Sequence, residues 1–386
     1  MVTNDKKPSG LEGVVAANTA ICTVDGETGT LIYNGYDVRE LAGKASFEEV
    51  VHLLWYGHLP CKRQLEALNE GLVMSRDLPQ EVIDIIRAFP KYAAPMEVLR
   101  TAVSSLSAFD RNACYYSRKA DMCKSVRLTA QMPTIVAAHQ RIRNDLEPVA
   151  PRSDLGHAAN FLYMLNGKEP DPVAAQAMDI ALVLHAEHEL NASTFAARVS
   201  AATLADMYSA ITSAIGTLSG PLHGGANEQV INMLLEIGSI ERAEGYIKEA
   251  LQQKKKIPGF GHRVYKAEDP RAVYMRNMSQ ALSERSGDKK LYEMSRFIEG
   301  LVWQEKRLHP NVDFYSAGVY YMLGIPTDLF TPVFAVSRIS GWTAHVLEQY
   351  SNNRLIRPRA EYVGPMGRRF VPIAERPESQ EVFEMV

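Results

Sequence analysis

The chain has 386 residues, of which 46% are hydrophobic and 23% charged, and its formal net charge is -3. That length exceeds what one hydrophobic core usually organises, so two domains of unequal size are expected. The mildly acidic balance excludes a general nucleic-acid binder, which carries a net basic face, and requires any anion-binding cations to act locally.

The first predicted element is a small hairpin. β-Branched runs near Ala20–Val24 and Thr30–Tyr33 are separated by Asp25-Gly26 and Gly29. Almost everything after it reads as helix. Ser46 and Glu49 make a capping box, Phe47, Val50, Val51, Leu54 and Trp55 line one face, and Gly57 stands where a helix stops. Leu65, Leu68 and Leu72, then Val82, Ile85 and Ile86, continue the theme. Asp171-Pro172 is a cap followed by proline at the first helical position, and residues 173–184 are apolar nearly all round. The Ala, Ser and Thr-rich run 192–217 predicts one central core helix. After Gly220-Pro221 come shorter, more charged helices at about 227–237, 241–254, 269–285 and 289–307. This polar block, 221–325, predicts a small domain inserted in a large one formed by 1–220 and 326–386. The acidic tail from Arg376 onward is read as frayed or packed on a partner.

Cys22, Cys61, Cys114 and Cys123 show no CxxC spacing and are expected to be buried free thiols of a reducing compartment. Residues 1–7 lack the apolar core of a signal peptide, and no run of about 18 uncharged apolar residues could span a membrane. A cytoplasmic protein is the expectation.

Five features could carry chemistry. In His185-Ala-Glu-His188 the two imidazoles are three apart, so on a helix they share a face. A metal pair is one reading, but HExxH and a third ligand are missing, and no metal is expected; core rings are the other. His223 in Gly220-Pro-Leu-His-Gly-Gly stands at a helix start. The dipole and nearby cations can hold it neutral there, able to donate to an enolate oxygen, or it is a loop histidine with no task. The stretch Pro258-Gly259-Phe260-Gly261-His262 combines two glycines that let a ligand approach the backbone with a proton-handling ring, and Lys266 and Arg271 follow. Asp313, in Asn311-Val-Asp-Phe-Tyr-Ser316, is either an N-cap or a general base strengthened by a dry pocket. Arg338 and Arg357 can bind carboxylates in bidentate fashion or serve the surface.

Taken in order, His188, His223, His262, Arg271, Asp313, Arg338 and Arg357, within LHAEHE, GPLHGGAN, PGFGHRVYK with DPR, NVDFYS, SRISGW and IRPR, resemble the citrate synthase family. The resemblance runs from the hairpin to about Tyr362; one departure is Ala317, where glycine is common. It implies an all-α fold, mainly helical with a small N-terminal β-hairpin, built as a homodimer of large and small domains. It implies that Asp313 removes a methyl proton from acetyl-CoA and that His223 holds the enolate or enol. His262 would polarise and protonate the oxaloacetate ketone, and citryl-CoA is then hydrolysed to citrate, with Si-type stereochemistry, in the tricarboxylic acid cycle. His188, His262, Arg271 and Arg338 would bind oxaloacetate, with Arg357 reaching in from the other subunit. Lys256, Pro258, Gly259, Phe260, Gly261 and Lys266 would meet CoA. No cofactor is required. NADH-inhibited members tend to be longer at the N-terminus, so no such control is expected. Three rival readings remain: 2-methylcitrate synthase acting on propionyl-CoA, a metal-dependent hydrolase using His185 and His188, and a helical scaffold.

Overall fold

The N-terminal hairpin forms as expected and carries one strand more. Cys22–Asp25 pairs antiparallel with Thr30–Tyr33, and Tyr36–Asp37 extends the sheet. These elements come from a computed structural model that describes residues 9–11 and 13–376. The segment 1–7 and the acidic tail beyond Arg376 lie outside the described residues.

Local signals set the helix ends. Ser46 and Glu49 close their capping box on helix Phe47–Tyr56, worth about 1 kcal/mol, and Gly57 ends it at φ 80°. Asp171 Oδ1 accepts from the amides of Val173 and Ala174 at 3.0 and 3.1 Å, so helix Pro172–His185 starts where the Asp-Pro pair predicts. Helices Ala226–Ile237, Ile240–Gln252, Pro270–Ser286 and Lys290–Lys306 occupy the polar block.

The run 192–217 is not one helix. It breaks into Ala192–Ala202 and Met207–Leu218 because Leu204 takes φ 61° and Asp206 recaps the chain, its Oδ1 accepting from Ser209 N at 3.1 Å. Small residues made the run look continuous, but helical propensity is only a weak prior against tertiary packing. The cysteine expectation also fails in part: all four are free, but only Cys22 is buried, whereas Cys61, Cys114 and Cys123 are exposed.

Helix Phe330–Ser351 is the axis of the core, with Val336, Ile339, Trp342 and Val346 all sealed from solvent. It packs on Arg118–Ile142, Ala192–Ala202 and Met207–Leu218. Each large apolar side chain buried here contributes roughly 1.5–3 kcal/mol. Helix Pro270–Ser286 packs between Pro172–His185 and Val312–Met322. Contacts gather the chain up to Leu355 into one unit, and the chain from Ile356 into a second. Among its described residues the second unit holds only the 3-10 turn Ile373–Glu375. No helix among the described residues is long and apolar enough to cross a membrane.

Candidate active site

The core helix Phe330–Ser351 supplies the first fixed charge. Arg338 is buried, its Nε donates to the carbonyl of His185 at 2.7 Å, and its guanidinium lies 4.6 Å from the Phe334 ring centroid. One turn on, Gly341 has no side chain for a physical reason. A Cβ there would stand 2.0 Å from Glu187 Oε2 and 2.5 Å from the carbonyl of Ala186. The segment after helix Pro172–His185 therefore lies directly on the core helix. The hydroxyl of Tyr33 donates to the carbonyl of Glu187 at 2.9 Å, and Glu187 Oε1 accepts from His188 N at 2.8 Å.

The helix ends at His185, so the two imidazoles do not share a helical face. His185 is fully buried, with Nδ1 donating to the carbonyl of Ala181 at 2.7 Å, and burial, aided by Arg271, pushes its pKa down to about 3. His188 instead points toward the 258–271 stretch, with Nε2 3.2 Å from the Tyr265 hydroxyl and its ring 5.4 Å from that of His262. Among the described residues no group of three or more His, Cys, Asp or Glu is arranged to hold a metal ion.

The glycine-rich stretch owes its shape to the segment it meets before helix Val312–Met322. Gly259 has φ 80°, and a Cβ there would lie 2.8 Å from both Phe314 and Val230. Phe260 pairs with Pro310 in an isolated antiparallel bridge, and Asn311 Nδ2 donates to the carbonyl of Gly261 at 2.9 Å. His262 follows, half-buried. Its Nδ1 accepts from the amides of Val264 and Tyr265 at 3.0 and 3.1 Å. An amide can only donate, so the neutral ring carries its proton on Nε2. Burial and then Arg271 lower its pKa to about 4, against an opposing pull from Asp269.

Asp269 caps helix Pro270–Ser286 and fixes the second guanidinium. It accepts from Arg271 Nε at 2.9 Å and Nη2 at 2.8 Å, and its Oδ2 also takes the amide of Val312 at 3.0 Å. Both partners are buried. That last bond ties Arg271 to the start of helix Val312–Met322, which carries Asp313.

Asp313 is not the N-cap. Asn311 performs that task, its Oδ1 accepting from Asp313 N at 3.0 Å, and the Asp313 carboxyl is left free for other work. The group is partly open to solvent, yet surrounding protein desolvates it. Burial raises its pKa to about 6, against the lowering pull of Arg271 and Arg338.

His223 sits in the tight turn before helix Ala226–Ile237. Gly224 must be small there, because a Cβ would stand 2.3 Å from the carbonyl of Leu218. His223 Nε2 accepts from Ser193 N at 3.2 Å and lies 2.8 Å from Ser193 Oγ. The neutral ring thus carries its proton on Nδ1. Trp342 Nε1 donates to Ser193 Oγ at 3.1 Å, joining this turn to the core helix. The His223 pKa falls to about 4 through burial and then Arg338. The nearby cation expected from the sequence is Arg338, but burial, which the sequence did not show, comes first.

Arg338 thus acts on His188, His223 and Asp313, and Arg271 acts on His188, His262 and Asp313. Burial leads these causes and holds His188 well below its ordinary value. Arg357 lies in the unit that begins at Ile356 and is exposed. Lys256 is exposed, and Lys266, also exposed, is ion-paired with Glu27. Sequence reasoning missed Asp269, Glu187, Ser193 and Tyr265. Asp269 had a signal, an Asp-Pro pair like Asp171-Pro172; Glu187, Ser193 and Tyr265 also meet residues distant in sequence, Tyr33, His223 and His188.

Neutral imidazoles with fixed tautomers, a strengthened carboxylate and buried guanidinium groups suit proton abstraction beside a carbonyl in an anionic substrate. The class this fold and site define is therefore a mainly helical enzyme of carbon-acid chemistry. The family model "Citrate synthase, C-terminal domain" matches residues 10–359. Citrate synthase 2 of Bacillus subtilis (strain 168) is 55% identical over 368 residues, covering 95% of this chain and 98% of the relative. A 2-methylcitrate synthase of Shewanella oneidensis is 44% identical over 371 residues, covering 95% and 98%. The ternary complex of carboxymethyl coenzyme A and oxaloacetate with citrate synthase from Thermoplasma acidophilum superposes with a TM-score of 0.89 at 35% identity, covering 95% of this chain and 98% of that one. The chain belongs to the citrate synthase family.

Proposed function

We propose that the chain condenses acetyl-CoA with oxaloacetate and water to give citrate and CoA. Asp313 takes a proton from the acetyl methyl group while His223 donates a hydrogen bond from Nδ1 to the thioester oxygen as it becomes an enolate. The enolate carbon attacks the oxaloacetate ketone, and His262 delivers its Nε2 proton to the developing alkoxide. Water then cleaves the thioester of citryl-CoA and releases CoA. His188, His262, Arg271 and Arg338 hold oxaloacetate, with Arg357 supplied across a homodimer. Lys256, residues 258–261 and Lys266 meet CoA, for which Lys266 must leave Glu27. In this reading 221–325 is a small domain closing on 1–220 and 326–386, the reaction needs no cofactor and has Si-type stereochemistry, and the enzyme is cytoplasmic.

The observation that carries the reading is the pair of tautomers. Backbone amides hold Nε2 of His223 and Nδ1 of His262 as acceptors, leaving one N–H on each ring for an oxygen that gains negative charge. Losing one such donor costs about 3 kcal/mol in transition-state stabilisation. The test is release of free CoA and formation of citrate from acetyl-CoA and oxaloacetate; no citrate from well-folded protein contradicts the reading.

The 2-methylcitrate synthase of Shewanella oneidensis, 44% identical, motivates a second reading in which propionyl-CoA is the acyl donor. One methylene changes discrimination by only ~1–3 kcal/mol. Comparing kcat/KM on acetyl-CoA and propionyl-CoA decides between them.

A further inference from the structure

The backbone amides of residues 264–267 are divided between two tasks. Those of Val264 and Tyr265 point inward to His262 Nδ1, at 3.0 and 3.1 Å. Those of Lys266 and Ala267 point outward to one acceptor, the carbonyl of Gly26, at 2.9 and 3.3 Å. This stretch has no helix or strand of its own, so these bonds settle where it lies. Gly26 belongs to the turn of the N-terminal hairpin, which is distant in sequence from His262.

The fit between turn and loop is close. A Cβ on Gly26 would stand 2.0 Å from the carbonyl oxygen of Val264, and one on Gly29 would stand 2.6 Å from that of Glu268. The loop thus lies across the floor made by two glycines. At the turn's outer edge the Lys266 ammonium pairs with the Glu27 carboxylate. The turn is itself braced. Asp25 Oδ1 accepts from the amides of Glu27 and Thr28 at 2.9 and 3.3 Å, and Arg39 Nη2 donates to the carbonyl of Gly29 at 2.6 Å.

We infer that the hairpin turn Asp25–Gly29 is a positioning element for the reaction, with Gly26 as the residue that holds the 264–267 backbone around His262. Gly26 touches no reacting atom. It acts by fixing the amides that set the tautomer and direction of the imidazole. This inference rests on the proposed role of His262.

The decisive variant is Gly26→Ala. Gly26 is not in the left-handed backbone region, so the added methyl strains nothing but the contact with Val264. Amide exchange at Lys266 and Ala267 should rise about 10-fold. Turnover should fall by about 10-fold to 10²-fold, the scale of a misplacement near 1 Å. The KM for acetyl-CoA should hold, and any fall in melting temperature should be small beside the loss of turnover. Gly245→Ala, on a helix with nothing within 4 Å, is the control and should leave turnover and exchange at 266 and 267 unchanged. Should Gly26→Ala not fold, Asp25→Ala loosens the same turn without adding a group. It should give the same pattern at smaller size, and Asp25→Asn, which keeps the acceptor, should restore turnover. Unchanged exchange at 266 and 267, or faster exchange with unchanged turnover, overturns the inference. If wild-type protein makes no citrate, the functional reading fails, whereas the exchange measurement still tests the contact.

Discussion

The core helix Phe330–Ser351 and the loop 258–269 each deliver one essential group, by opposite means. The helix is regular and sealed, and it fixes Arg338 by burial, a carbonyl partner and a ring stacked on the guanidinium. The loop has no regular structure, and it fixes His262 by spending its own amides on the ring. The difference follows from what each group must do. A guanidinium only has to remain a charge in place, which packing and buried partners secure. An imidazole must also keep its proton on one nitrogen, and only a directed donor or acceptor can impose that. His223, held by the amide of Ser193, follows the loop's rule although it lies elsewhere in the chain.

Three substitutions and two pH profiles break or sharpen this contrast. The largest effect is expected from Asp313→Asn, which keeps the shape but removes the base. Turnover should fall by about 10² to 10⁴-fold while oxaloacetate still binds, as calorimetry would show. A near-normal rate removes Asp313 from that role. Arg338→Leu should leave melting cooperative and weaken oxaloacetate binding by about 10-fold to 10²-fold, the loss of a charge-assisted contact. Unchanged affinity shows that the buried charge on the core helix serves packing alone.

Acidity separates the two kinds of group further. With the Asp313 pKa raised to about 6, kcat/KM should fall about tenfold per pH unit below that value, because protonation removes the base. Stability should move with opposite signs at different residues. Asp313 binds its proton more tightly folded than unfolded, so it favours the fold as pH drops through 6. His157 and His185 have folded pKa values of about 3, below the ordinary 6.5, so the unfolded chain takes protons that the fold refuses. Asp179, raised by burial to about 7, acts with Asp313, but His139, His223 and His262, each lowered to about 4, join the other two histidines and outnumber the carboxylates, so melting temperature should decline between pH 6.5 and 4. A flat profile contradicts the burial argument. The smallest effect belongs to Ser193→Ala, which removes the hydroxyl beside His223 but keeps the amide. A loss of roughly 5-fold in turnover is expected, the worth of about one neutral hydrogen bond. A loss near 10³-fold would transfer the tautomer control to the hydroxyl.

What could be read from the sequence divides along the same line. Ser46 with Glu49, and Asp171 with Pro172, act within one helical turn, and both start helices where expected. The histidines, arginines and Asp313 were visible as motifs. Their supports were not, because Glu187 meets Gly341, Ser193 meets His223, and Gly26 meets Val264 only after folding. Leu204 shows the reverse failure, a residue of good helical propensity that stands exposed at φ 61° with its carbonyl accepting from the Tyr116 hydroxyl at 2.8 Å. The Asn311 cap lay in plain view, and the choice between cap and base at Asp313 turned on it.

The central claim is that two neutral rings present opposite nitrogens as donors, and nitrogen NMR of histidine-labelled protein tests it most directly. At pH 7 the account predicts a proton on Nδ1 of His223 and on Nε2 of His262, unchanged by Ser193→Ala. Either ring found cationic at that pH, or carrying its proton on the other nitrogen, contradicts it.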